Sequence, residues 1–157
     1  MVDKLVPSSS GVSARMSRQK RQNTVPELAI RRLLHAAGLR YRVAWRIPGM
    51  ARRSVDIAFT RAKLAIFVDG CFWHSCPQHR TSPASNSAWW ANKLETNQRR
   101  DTTTDEHLAA LGWNVLRIWE HDDPANAARR IIERLQEANE PCAPGAPATP
   151  ATPEDLV

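Results

Sequence analysis

The chain has 157 residues, a formal net charge of +6, six Trp against one Tyr, and three Cys. No run approaches the 18 or more apolar residues of a membrane span, and the N-terminus has no hydrophobic signal core, which argues against a membrane or exported protein and for a cytoplasmic one. A positive balance suits a polyanionic partner, Trp offers flat faces that stack on bases, and a reducing compartment turns Cys from disulfide halves into metal ligands.

Residues 1–15 are Ser-rich and lack hydrophobic periodicity, so they read as a disordered lead-in. The basic stretch MSRQKRQNT that follows suits either a nucleic-acid groove or a solvated arm. Thr24 then opens a helix: it stands at the N-cap, Pro26 in the first turn and Glu27 at the capping-box position, with Leu28, Ile30, Leu33 and Leu34 on a buried stripe and Gly38 as the stop. Glu27 therefore has a structural task without any catalytic one. Arg31 and Arg32 project elsewhere on the helix, where they can meet phosphates.

Strands are expected at 40–47, 54–59 and 64–68, with turns at Pro48-Gly49 and 61–63. Tyr41, Val43 and Trp45 alternate with Arg40, Arg42 and Arg46, which predicts an apolar face opposite a basic one. After a loop at 81–86, a helix over 89–111 carries a partial stripe of Leu94, His107, Leu108 and Leu111 and stops at Gly112. A buried strand at 114–119 and an amphipathic helix from Asp123-Pro124 through Ala127, Ile131, Ile132 and Leu135 complete the order. Residues 139–157, Pro- and Ala-rich and including Cys142, read as a disordered tail. The expected fold is α/β, one domain over 16–138 with a small mixed sheet flanked by helices.

The chemistry concentrates in KLAIFVDGCFWHSCPQH at 63–79, a buried strand running into a ligand-rich loop. Cys71, Cys76 and a nearby His, with His121 after the next strand, make a tetrahedral zinc set if the two strand ends are neighbours. Four-coordinate zinc needs only one of His74 and His79, and the spacing favours His79. His74 is then left beside a pinned loop as a proton acceptor. Asp56 interrupts an apolar strand, which is costly unless it faces a partner or a cation, and with Asp69 at the end of the next strand it could hold Mg²⁺. The plainer alternative pairs Asp56 with Arg52 or Arg53 and leaves Asp69 to start a turn. Phe72 and Trp73 would ordinarily be core, but in a tied loop of a basic protein they also suit a wedge between base pairs.

Five segments in order, NTVPELAIRRLLHAAGLRYR, VDIAF, FVDGCFWHSCPQH, WWANKLETNQRRD and LGWNVLRIWEH, resemble the very-short-patch repair (Vsr) DNA mismatch endonucleases. The resemblance implies a restriction-endonuclease-like three-layer fold, a structural zinc, and Mg²⁺-dependent nicking of one strand of duplex DNA 5′ to the T of a T:G mismatch left by deamination of 5-methylcytosine. It implies Asp56 and the Val68 carbonyl as Mg²⁺ ligands, His74 as general base, Asp101 supporting it, Glu27 as an acidic neighbour, and Phe72, Trp73 and Trp90 as the wedge. Arg31 and Lys93 are the candidate DNA contacts. In some members a His stands at the position of Asp69 and a Cys at that of His121. The zinc set of Cys71, Cys76, His79 and His121 is therefore an inference from this chain. The expected protein is a monomer acting on mismatched duplex, nucleoid-associated when bound. Two other readings compete: a nuclease with another mismatch or modified-base preference, and a zinc-stabilised DNA-binding module without catalysis.

Overall fold

The computed structural model of the chain describes residues 22–79 and 87–139; the lead-in, most of the basic arm, the 81–86 loop and the tail past 139 lie outside the described residues. The elements are α1 (Val25–Ala36), β1 (Arg42–Ile47), β2 (Met50–Phe59), β3 (Leu64–Asp69), α2 (Ser87–Ala110), β4 (Asn114–Trp119) and α3 (Pro124–Asn139). They form a four-stranded sheet in the order β1-β2-β3-β4. The first two pairs are antiparallel, and β3 and β4 run parallel. A parallel pair needs a long crossover, which α2 supplies.

Each face of the sheet is covered. Ile30 and Leu34 of α1 and Ala127, Ile131 and Leu135 of α3 pack on Ile57, Phe59, Leu64, Ile66 and Ile118. On the other side Leu108 of α2 and Trp113 pack with Ala58 and Ala65, together with Ile47 and Val55 of the hairpin. Ile57, Ile66, Leu108 and Ile131 are fully buried, so truncating any of them to Ala costs about 2–5 kcal/mol. The mixed sheet between helices is the α/β arrangement that the sequence predicts.

Local details depart from the pattern for identifiable reasons. The expected apolar face of β1 is divided: Tyr41 packs edge-on to Phe59, Trp45 stacks on Trp113 in the other cluster, and Val43 is 42% exposed. Ala44 lies between them at φ +47°, a left-handed conformation that turns the strand and cancels the period of two. β2 begins at Met50, because Ile47↔Met50 closes a hairpin over Pro48-Gly49. In α1, Thr24 makes no side-chain cap, and Glu27 Oε2 instead accepts the Asn23 amide at 2.8 Å, one residue before the cap. Leu111, expected on a buried stripe, is 38% exposed beyond the end of α2. Gly112 at φ +77° makes the turn there.

The inward face of α2 is more polar than a core helix requires. Its buried residues are Leu94, Thr104 and Leu108. Arg53 of β2 donates to Thr104 Oγ1 at 2.6 Å and to the Arg100 carbonyl at 3.0 Å, and His107 bonds the Pro48 carbonyl at 2.7 Å. These contacts dock α2 on the hairpin and set the position of its acidic residues.

Candidate active site and metal centre

The site lies where β2 and β3 part. Their ladder includes Ile57↔Ile66, and just beyond it the Val68 amide donates to Asp56 Oδ2 at 2.8 Å. A side-chain carboxylate thus accepts at the end of the ladder, which holds Asp56 against the strand whose Val68 carbonyl is its expected co-ligand. Burial, reinforced by the Glu27 and Asp69 charges, outweighs that hydrogen bond and pushes the Asp56 carboxyl up from 3.8 to about 6. A buried carboxylate with two like charges near it fits a cation far better than it fits an empty interior. Arg53 is not its partner, since it is committed to α2.

Glu27 is 5% exposed. It holds the Asn23 amide and meets Arg31 Nη1 at 3.3 Å, while the same Nη1 donates to Asn23 Oδ1 at 2.7 Å. The Nη1 of the expected phosphate contact Arg31 is therefore engaged with Glu27 and with Asn23 ahead of the helix. Lys93 is exposed on α2.

His74 and Asp101 meet across the fold, Nδ1 to Oδ2 at 2.6 Å. Asp69 Oδ1 stands 3.8 Å from the same Nδ1. Burial works against the imidazolium, but the Asp101 bond and the charges of Asp69 and Asp101 outweigh it and raise the His74 pKa. In the neutral ring, Nδ1–H given to a carboxylate leaves Nε2 as the acceptor, the tautomer that a general base needs.

Arg117 of β4 ties the acidic groups together. Its Nη1 donates to both oxygens of Asp69 at 2.9 and 2.8 Å, and its Nε and Nη2 fork onto Asp105 at 3.0 and 2.9 Å. Burial raises the Asp69 pKa, although His74 and Arg117 both pull it down. The Asp69 oxygens expected to face Mg²⁺ are thus held by a guanidinium. Arg117 was missed by motif reading, but an Arg between Leu116 and Ile118 in an apolar strand is itself a signal, because a buried guanidinium requires acidic partners.

The parallel pairing of β3 with β4, Asp69↔Trp119 at its end, brings the two following loops side by side. The donor atoms of Cys71, Cys76, His79 and His121 all lie within 4.8 Å of one another. Sγ to Nδ1 separations are 3.8 Å from each Cys to His79, and 3.0 and 3.7 Å from Cys71 and Cys76 to His121. Tetrahedral bonds of about 2.0–2.3 Å give edges of about 3.3–3.8 Å, so three of these four separations match a four-coordinate ion and the Cys71–His121 pair lies closer than one. Glu120 Oε1 accepts the Cys71 amide at 2.7 Å and Asp122 Oδ1 lies 3.7 Å from His121 Nε2, two supports that spacing alone did not indicate. His74 stays outside the donor group.

The same loop presents the aromatics. Phe72 meets Trp73 and Trp90 edge to face at 5.1 and 5.2 Å, and Trp89 adds to the group against Trp90 at 4.9 Å. Asn97 of α2 donates to the Trp73 carbonyl at 3.2 Å and steadies the loop. All four rings are half-buried, too exposed for core and too well packed to be loose.

The metal donor set, the acid–imidazole pair and the aromatic cluster meet at one end of the sheet, and the comparisons with known proteins point to a DNA-acting enzyme family. The family described as DNA mismatch endonuclease Vsr matches residues 3–80. The Type II nicking enzyme V.NaeI of Lentzea aerocolonigenes is 40% identical over 131 residues, 82% of this chain and 79% of its own. V.XorIIP of Xanthomonas oryzae pv. oryzae, also named a Type II nicking enzyme, is 38% identical over 123 residues, 76% of this chain and 85% of its own. The DNA mismatch endonuclease Vsr of Escherichia coli (strain K12) is 33% identical over 102 residues, 63% of this chain and 62% of its own. The chain belongs to the Vsr family.

Proposed function

We propose that the protein is a DNA endonuclease that nicks one strand of duplex DNA 5′ to the T of a T:G mismatch, with Mg²⁺ at the cleavage site and zinc in the Cys/His cluster. The observation that carries this reading is the convergence of Asp56, the Val68 strand and the His74–Asp101 pair beside the aromatic loop. Family membership and the relatives' names support the endonuclease class. The three layers of helix, sheet and helix fit a restriction-endonuclease-like fold.

Asp56 and the Val68 carbonyl would hold Mg²⁺, which supplies charge neutralisation at the phosphodiester. His74 Nε2 takes the proton of the attacking water, and Asp101 holds the ring and stabilises its charged form. Phe72, Trp73 and Trp90 enter the base stack beside the mismatch and so present the scissile phosphate to His74. The Cys₂His₂ donors suit zinc, and with all four positions taken by protein its task is to hold the loop. We take the active form to be a monomer on mismatched duplex.

The test is a panel of labelled duplexes differing only in the central pair and in cytosine methylation, with and without added magnesium. Strand-specific, metal-dependent nicking of the T:G duplex is expected. Nicking that prefers another pair or a modified base would favour the related-nuclease reading, to which the name Type II nicking enzyme lends some weight. Binding without turnover under any divalent ion would leave the DNA-binding module.

A further inference from the structure

Arg117 interrupts the apolar run of β4, and its guanidinium would be costly on a covered sheet face unless its donors were met. They are met by Asp69 and Asp105, with Asp101 Oδ1 at 3.5 Å, and the guanidinium lies over the Phe67 ring at 4.7 Å. Burial works against its charge, yet the Asp105 and Asp69 contacts prevail, so it stays a cation.

Two carboxylates compete for one imidazole nitrogen. Asp101 Oδ2 is 2.6 Å from His74 Nδ1, and Asp69 Oδ1 is 3.8 Å from it. They approach from different elements, Asp101 from α2 and Asp69 from β3, so whichever holds Nδ1 decides where Nε2 faces. Arg117 grips both Asp69 oxygens, whereas at Asp101 it faces only the oxygen that does not bond His74. The Asp69 contact, at 2.8–2.9 Å against 3.5 Å to Asp101, is the closer charge-assisted pair, and the fork on Asp105 fixes the guanidinium that makes it.

We propose that Arg117 is a positioning residue: it holds Asp69 off His74, leaves the imidazole to Asp101, and thereby aims Nε2 at the attacking water. The inference rests on the reading of His74 as proton acceptor. It gives Asp69 the task of anchoring Arg117 between β3 and β4 in place of binding Mg²⁺. A chain with Arg at 117 then accommodates an Asp at 69 that would otherwise disturb the base.

The experiment measures kcat and KM for nicking a duplex with one T:G mismatch, in magnesium, at a temperature where each variant is folded by circular dichroism. Arg117→Gln lowers kcat by about 10- to 100-fold with little change in KM, since a misaimed base loses much of its contribution. Adding Asp69→Asn recovers about tenfold of that loss, because a neutral amide competes for Nδ1 far more weakly than a carboxylate does. Adding Asp105→Asn relieves the same buried charge without touching the competition, and does not recover it. If Arg117→Gln does not fold, the comparison of the two double variants carries the test, because each lacks one charge of each sign. Equal kcat in the two doubles, or a lower kcat with Asp69→Asn, overturns the inference. His74→Ala separates the two failures: undiminished nicking by that variant removes the underlying reading itself.

Discussion

The Asp56 carboxyl is buried beside Glu27 and Asp69, and its pKa is pushed from 3.8 to about 6, chiefly by burial. A raised carboxyl pKa means that the folded state holds the proton more tightly than the unfolded one. Stability from this group is therefore greatest below 3.8 and is lost as pH rises through about 6. At about 1.4 kcal/mol per pH unit, the penalty in the purified protein without added magnesium is about 3 kcal/mol at pH 7.5 and about half that at pH 5. Asp56→Asn removes the charge and keeps an oxygen to accept the Val68 amide. The variant should resist urea better than the parent at pH 7.5, by a margin that narrows to about 1.5 kcal/mol at pH 5, with an unchanged slope. Added magnesium should raise the midpoint of the parent and leave the variant where it is. Nicking should be lost in the same variant while duplex binding is largely kept. A variant less stable than the parent at pH 7.5, or a margin that does not change with pH, would refute this account of Asp56.

Three further outcomes follow from the same geometry. His74→Ala should lower the single-turnover nicking rate by about 10²–10⁴ with duplex affinity little changed, and a parallel loss of affinity would point to a DNA contact in place of a base. The purified chain should carry about one equivalent of zinc that mild chelator does not remove, and Cys76→Ser should abolish it and lower the unfolding midpoint; a metal-free parent purified under reducing conditions would defeat the assignment. Trp73→Ala should weaken binding to mismatched duplex by about 1–3 kcal/mol without altering the salt dependence of binding, which reports phosphate contacts. Equal binding of mismatched duplex by parent and variant would place Trp73 in the packing of the loop alone.

What the sequence determined by itself is what short-range chemistry encodes. The apolar runs at 64–68 and 114–119 form strands, Gly38 and Gly112 follow the helix ends, and Cys71, Cys76 and His79 lie close enough along the chain to share an ion whatever the rest does. Tertiary structure decided the rest, through contacts between residues with no local relation. His121 reaches Cys71 across 50 positions because β3 and β4 pair in parallel, and Asp101 reaches His74 across 27 because α2 crosses over that pair. The period of two in β1 failed at Ala44, where one left-handed residue turned the strand. The weak stripe of α2 is explained by Asp101 and Asp105, which turn inward toward a cation on β4. Hydrophobic periodicity describes faces that bury apolar area, and a face that buries a charge network leaves no such period. Asp69, which its place in the chain offers either to a cation or to a turn, is in the folded protein hydrogen-bonded by an arginine 48 residues away.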